Sequence, residues 1–188
     1  VKRQFLRFCW VGLVVGVFAS STTIASHLVA PQATTSLRLE IEKKGEVIIL
    51  LHTKEAPKAT SQVIRIAQEG FYNGQRVHEV MADPQPFLVK LGDPLSRSSL
   101  TDSRLGSGGS GSTVPYEDSG KSNRIGAVGL ATRERDPDSG DSIFYIMLRD
   151  APFLDGSYTV FGQVTKGMEV VRRLEVGDKV TSATVIRG

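Results

Sequence analysis

The sequence predicts a mainly β domain, a barrel or a sandwich, preceded by a short targeting segment. Three observations carry that prediction. Apolar and polar residues alternate with a period of two where the body of the chain begins, short apolar runs bounded by Gly, Pro, Asp or Ser recur along the rest, and only two stretches carry helical spacing. Many short strands with few helices pack as a barrel or sandwich.

The elements follow in order. Leu37, Leu39 and Ile41 alternate with Arg38, Glu40 and Glu42, the pattern of a half-buried strand. Lys43-Lys44-Gly45 turns the chain into a second, fully apolar strand from Val47 to Leu51, which makes a hairpin. Pro57 suits the first turn of a helix and Gly70 the position after its end, with Val63, Ile64, Ile66 and Ala67 as the apolar stripe. Short strands are then expected at Arg76–Val80, Phe87–Leu91, Ile125–Ala131, Ile143–Leu148 and Thr159–Val164. A second helix is expected over Gly167–Leu174, and Ala183–Ile186 closes the sheet. The glycine-serine run from Gly106 to Ser112 reads as a flexible surface loop.

The first thirty residues have a basic start (Lys2, Arg3, Arg7), an apolar stretch from Phe8 to Ala19, then small and hydroxyl residues. This is the layout of an export signal, with an uncleaved anchor over residues 5–28 as the rival reading. Residues 31–35 serve as a linker, and residues 36–188 are one domain's worth of chain. Either reading of the leader takes the body out of the cytoplasm, to the periplasm or beyond, and confines any membrane contact to the N-terminal segment. Of the 23 Lys and Arg residues, three lie in the leader, so the body balances 20 basic against 20 acidic side chains. A neutral body argues against nucleic acid as a partner. The single cysteine, Cys9, also lies in the leader, so the body has neither a disulfide framework nor a thiolate metal site.

Several motifs fail on inspection. Gly120-Lys121-Ser122 lacks the upstream glycine of a phosphate loop, because Pro115 stands there. No G-x-S-x-G elbow occurs, and His27, His52 and His78 have no metal-pairing spacing. Asp136, Asp138 and Asp141 open like a calcium loop, but Met147 occupies the place of the closing glutamate, so a solvated acidic turn is expected. No cofactor or metal is implied.

Three stretches, taken in order, resemble the cyclophilin family of peptidyl-prolyl cis-trans isomerases. Phe71-Tyr72-Asn73-Gly74 followed by Val77-His78-Glu79-Val80 is similar to that family's F-Y-D-G leading to F-H-R-V. Asp136 to Ile146 is similar to its polar loop and S-Q-F-F-I strand. Phe153 to Gly162, FLDGSYTVFG, is similar to W-L-D-G-x-H-x-V-F-G, and Val164 to Val171 continues the match. The resemblance implies a closed eight-stranded antiparallel barrel capped by two α-helices, a monomer that binds proline-containing segments of peptides or unfolded proteins in an outer groove.

The positions matching the family's groove are Phe87, Leu88, Phe144, Leu154 and Tyr158, with Ala131 near a backbone-binding edge and Phe153 at the tryptophan position. Phe87 and Tyr158 are expected to act in catalysis and the others in substrate binding. The family's catalytic arginine falls at Glu79, its supporting glutamine at Lys90 and the strand glutamine at Ile143. An acceptor thus replaces a donor, which implies weakened isomerisation, or a binding module that keeps the groove without efficient turnover. The opposite charges of Glu79 and Lys90 predict an ion pair filling the arginine's place. Arg76 cannot substitute, because alternation points it to the opposite face. The segment Met81–Pro86 is about three residues longer than the family's turn and is expected to reshape or fill the pocket mouth.

Overall fold

The opening hairpin forms as its alternation requires. In the computed structural model, which describes residues 34–133 and 136–188, β1 (Thr35–Ile41) and β2 (Gly45–Leu51) pair antiparallel with Leu37 opposite Ile49 and Leu39 opposite Val47. All four side chains are buried. The export signal or anchor assigned to residues 1–30 lies outside the described residues.

Helix α1 (Pro57–Gln68) starts with Pro57 in its first turn and no cap from its own N-terminal side chain. A distant carboxylate fills that role: the backbone amides of Lys58 and Ala59 donate to Oε1 and Oε2 of Glu117 at 3.0 and 2.8 Å. Negative charge on orphan amides at the positive end of the helix is favourable on both counts. The helix buries Ala59, Val63, Ile66 and Ala67 against the sheet, and Gln62 with them.

The remaining strands are β3 (Glu79–Met81), β4 (Leu88–Leu91), β5 (Ala127–Leu130), β6 (Phe144–Met147), β7 (Val160–Lys166) and β8 (Val180–Arg187). They join one antiparallel sheet of eight strands in the order β3-β4-β6-β5-β7-β2-β1-β8. A one-turn helix α2 (Met168–Val171) packs on β2, shorter than the span to Leu174 that its apolar spacing suggested. Leu174 is nevertheless buried.

The sheet curls into an open half-barrel, and this corrects the expectation of a closed one. The edge strands β3 and β8 share no ladder. They are linked just upstream of β3 by the isolated bridge between Arg76 and Lys179, flanked by Val77 N to Asp178 O and Val180 N to Gln75 O, each 2.8 Å. β3 is therefore only three residues long, and the strand expected from Arg76 begins at Glu79.

Alternation sorts the side chains into two apolar groups. The interior holds Leu37, Leu39, Ile49, Val63, Val128 and Ile146 around the rings of Tyr72, Phe144 and Phe161, which meet edge to face at 5.6 and 6.1 Å. On the outer face a smaller group forms from Leu88, Ala127, Tyr145, Met147, Ala151 and Val160, with Phe87, Leu154 and Tyr158 packed on it. An outer apolar patch of this kind is unusual for a sheet that already has a full interior, and it locates the site.

Candidate active site on the outer face of the sheet

One cross-strand row organises the outer face. Glu79 faces Lys90 across β3 and β4, Lys90 faces Tyr145 across β4 and β6, and Tyr145 faces Gly129 across β6 and β5. The row passes from charge to aromatic ring to empty space. Gly129 has to be glycine, because a Cβ there would overlap the phenol of Tyr145. The phenol lies in that gap and donates to Oδ1 of Asn123 at 2.6 Å. Burial pushes its pKa well above the usual tyrosine value, so it stays protonated.

Asn123 is fully buried and held in turn by Asp155, whose Oδ1 accepts from its amide at 2.7 Å and from Nδ2 at 2.9 Å. Ser122 Oγ donates to the other oxygen at 2.6 Å. The Ser122 hydroxyl, then the Asn123 donors, hold the Asp155 carboxyl below the usual carboxylate range. Asp155 thereby fixes the segment that delivers Leu154 and Tyr158 to the same face. Tyr158 meets Tyr145 edge to face at 5.8 Å.

These elements enclose an open pocket of about 230 Å3. Phe87, Leu88, Tyr145, Leu154 and Tyr158 supply its apolar and aromatic walls, with Met81, Ala131 and Thr132 at the sides and Lys90 contributing charge. Of the long Met81–Pro86 segment only Met81 reaches the lining, so the segment borders the pocket and does not fill it.

Six of the residues read from sequence thus come together: Phe87, Leu88, Lys90, Ala131, Leu154 and Tyr158. Phe153 stands on the rim, 69% exposed, with its ring stacked on Phe87 at 6.1 Å and 10°. The guanidinium of Arg149 lies 4.8 Å from the Phe87 centroid. Phe144 is a correction: it is fully buried in the interior, and its neighbour Tyr145 lines the pocket. A strand's faces alternate residue by residue, so an assignment one position off exchanges core for site. The run Ile143–Leu148 is apolar throughout and gives no periodic hint. Thr132 was likewise missed, being a loop residue without a pattern.

Glu79 lies beside the pocket without lining it, and the predicted ion pair is present: Lys90 Nζ sits 2.9 Å from Oε2 of Glu79, with side chains 29% and 39% exposed. Arg76 lies upstream of β3, in the isolated bridge to Lys179, and donates from Nη1 to Gly177 O at 2.9 Å. Just before β3, His78 is part-buried, and both of its ring nitrogens are shut off from solvent without a hydrogen-bond partner. Desolvation holds its pKa below the usual histidine value, only partly opposed by Asp93.

The glycine-serine run is not a free loop, a third correction. Asp93, fully buried, accepts from the amides of Gly106 and Gly108, and Asp141 accepts from the amides of Ser110 and Gly111 and from the Ser110 hydroxyl. A Cβ on Gly108 would overlap Asp93 and one on Gly109 would overlap Asp141, so the glycines permit close approach to two carboxylates. Asp141 is accordingly 9% exposed, a staple and no part of a solvated acidic turn. The stapled loop walls a second hollow of about 260 Å3 that shares Ala131 and Thr132 with the apolar pocket.

With this geometry in hand, comparison with known proteins decides the family. The family described as cyclophilin type peptidyl-prolyl cis-trans isomerase matches residues 36–187. The chain belongs to the cyclophilin family. Among curated relatives of this cyclophilin, a probable peptidyl-prolyl cis-trans isomerase of Brucella suis is 35% identical over 189 residues, 98% of this chain and 90% of the relative. A peptidyl-prolyl cis-trans isomerase of Helicobacter pylori is 34% identical over 143 residues, covering 74% of this chain and 80% of its own length. Among solved structures, a Cryptosporidium parvum cyclophilin type peptidyl-prolyl cis-trans isomerase, crystallised in the presence of the dipeptide Ala-Pro, superposes with a TM-score of 0.69 at 20% identity, over 80% of this chain and 98% of that one. At that identity the superposition speaks for the cyclophilin fold alone.

Proposed function

We propose that this cyclophilin is a peptidyl-prolyl cis-trans isomerase acting on proline-bearing segments of unfolded or folding proteins outside the cytoplasm, and that it turns over more slowly than relatives carrying an arginine at the position of Glu79. The observation that carries the reading is the open apolar pocket on the outer face, where Phe87, Leu88, Leu154 and Tyr158 converge with Tyr145. The relatives' names and the Ala-Pro dipeptide used with the Cryptosporidium protein agree with it.

The chemistry follows from the amide. Rotation about an X-Pro bond is opposed by about 18–20 kcal/mol of lost conjugation, and the planar, conjugated form is the more polar one. A pocket that holds the proline ring against Phe87, Leu88 and Leu154 strips water from that amide and favours the twisted form. Only interactions stronger in the twisted state accelerate the exchange. Phe87 stacks on Phe153 and Tyr145 meets Tyr158 edge to face, so the aromatic walls brace one another, and a preorganised wall is what such selectivity needs.

A second reading has one observation in its favour. Glu79 places a carboxylate where the resemblance implies a donor, which suits a module that grips proline peptides as a monomer without turning them over. A protease-coupled isomerase assay on the purified protein separates the two. Acceleration of an Ala-Pro tetrapeptide above its uncatalysed exchange supports the enzyme. Undiminished peptide binding with no acceleration, and a gain of rate in Glu79→Arg, supports the binding module.

A further inference from the structure

The pocket holds a charged donor that an apolar proline-ring site does not need for binding. Among the described residues, Lys90 is the one charged side chain lining it. Its side chain is 29% exposed, and its ammonium is tied at 2.9 Å to the Glu79 carboxylate across the β3–β4 ladder. An ammonium carries three donor hydrogens, and the carboxylate takes one. Of the other cations nearby, Arg76 is tied to the Gly177 carbonyl, Arg149 covers the Phe87 ring, and Arg133 lines the adjoining hollows and not this pocket. The Tyr145 phenol, which also lines the pocket, is committed to Asn123.

We infer that Lys90 is the catalytic donor of this isomerase and that Glu79 is its positioning residue. This rests on the isomerase reading above. No bond is made or broken in the reaction. As the X-Pro amide twists, the nitrogen lone pair leaves conjugation and becomes an acceptor, and Lys90 Nζ donates to it. The planar amide offers no such lone pair, so the contact strengthens only on the way to the transition state. A charged donor is roughly twice as strong as a neutral one, which sets Lys90 above the Thr132 and Tyr158 hydroxyls in the same pocket. Glu79 contributes by holding a flexible four-carbon stem in one place, so the carboxylate that looks like a lesion is the anchor of a different donor.

The test measures kcat and KM for an Ala-Pro tetrapeptide, with peptide Kd from NMR titration, on the full chain and its Lys90→Met, Lys90→Arg and Glu79→Gln variants. Loss of one preorganised donor predicts a kcat about 10²-fold lower in Lys90→Met. Peptide Kd should stay within about threefold, since the apolar walls are intact. Lys90→Arg should recover most of the rate, and Glu79→Gln should lower kcat by less than Lys90→Met does. A purely structural Lys90 would lower binding and rate together and would not be rescued by arginine, and that result overturns the inference. An active parent whose Lys90→Met variant keeps its kcat overturns this inference alone. A parent that binds the peptide without accelerating it overturns the isomerase reading and this inference with it.

Discussion

The phenol of Tyr145 occupies the space that a side chain on Gly129 would fill, and the pocket's inner wall depends on it. Gly129→Ala should expel the ring, break its hydrogen bond to Asn123 and spoil the pocket. Overpacking of this sort costs about 1–3 kcal/mol. Chemical denaturation should show that loss, and titration with a proline peptide should show affinity falling at least tenfold. Unchanged affinity would mean that the wall is not where the peptide binds.

Phe144 and Tyr145 are neighbours in sequence with opposite duties, and substitution should separate them. Phe144→Ala opens the interior beside Tyr72 and Phe161 and should cost about 3–5 kcal/mol of stability. Tyr145→Ala should also cost stability, since the ring is 3% exposed and its loss leaves Asn123 Oδ1 unpaired, but of the two only Tyr145→Ala should remove a wall of the pocket and weaken peptide binding. Paired unfolding and titration curves check both, and equal losses of peptide affinity would contradict the division between core and site.

The way these two residues were confused indicates what a sequence can tell about this fold. The hairpin of β1 and β2 was legible because charged and apolar residues alternate there, and α1 because Pro57 and Gly70 mark its ends. The face of β6 was not, because a strand covered on both sides is apolar on both sides. The pocket residues Phe87, Leu88, Leu154 and Tyr158 came from family resemblance, since nothing in their spacing marks an outer surface. The open seam between β3 and β8 depends on backbone geometry at residues 74–77 and 177–180, which no side-chain pattern encodes. The glycine run looked flexible because composition says nothing of two distant carboxylates that tie it down.

That tie is itself testable. Asp93 accepts from the amides of Leu95, Gly106 and Gly108, and removing it takes a charged acceptor from three part-buried donors, at about 1.5–3 kcal/mol each. Asp93→Ala should therefore destabilise the protein by about 3 kcal/mol or more. In hydrogen exchange the amides of Gly106 and Gly108 should lose protection first. Retained protection there would show that Asp93 is dispensable to the loop.

His78 predicts a pH dependence whose sign follows from its environment. Burial lowers its folded pKa, while the unfolded chain titrates near the usual value of about 6.5. Between the two the unfolded state binds more protons, so stability should fall as pH drops below about 6.5 and level off below the folded pKa. A His78→Gln variant should show a flatter profile over pH 5 to 7 in urea denaturation. An unchanged slope would place the titrating group elsewhere.

The most direct measurement of all is NMR exchange spectroscopy on an Ala-Pro peptide with substoichiometric protein. Isomerase action in the outer pocket predicts cis-trans exchange cross-peaks that are absent from the peptide alone, together with shift changes at Leu88, Tyr145, Leu154 and Tyr158. Cross-peaks no stronger than in free peptide, with those four residues perturbed by binding, would contradict catalysis and leave a proline-binding protein.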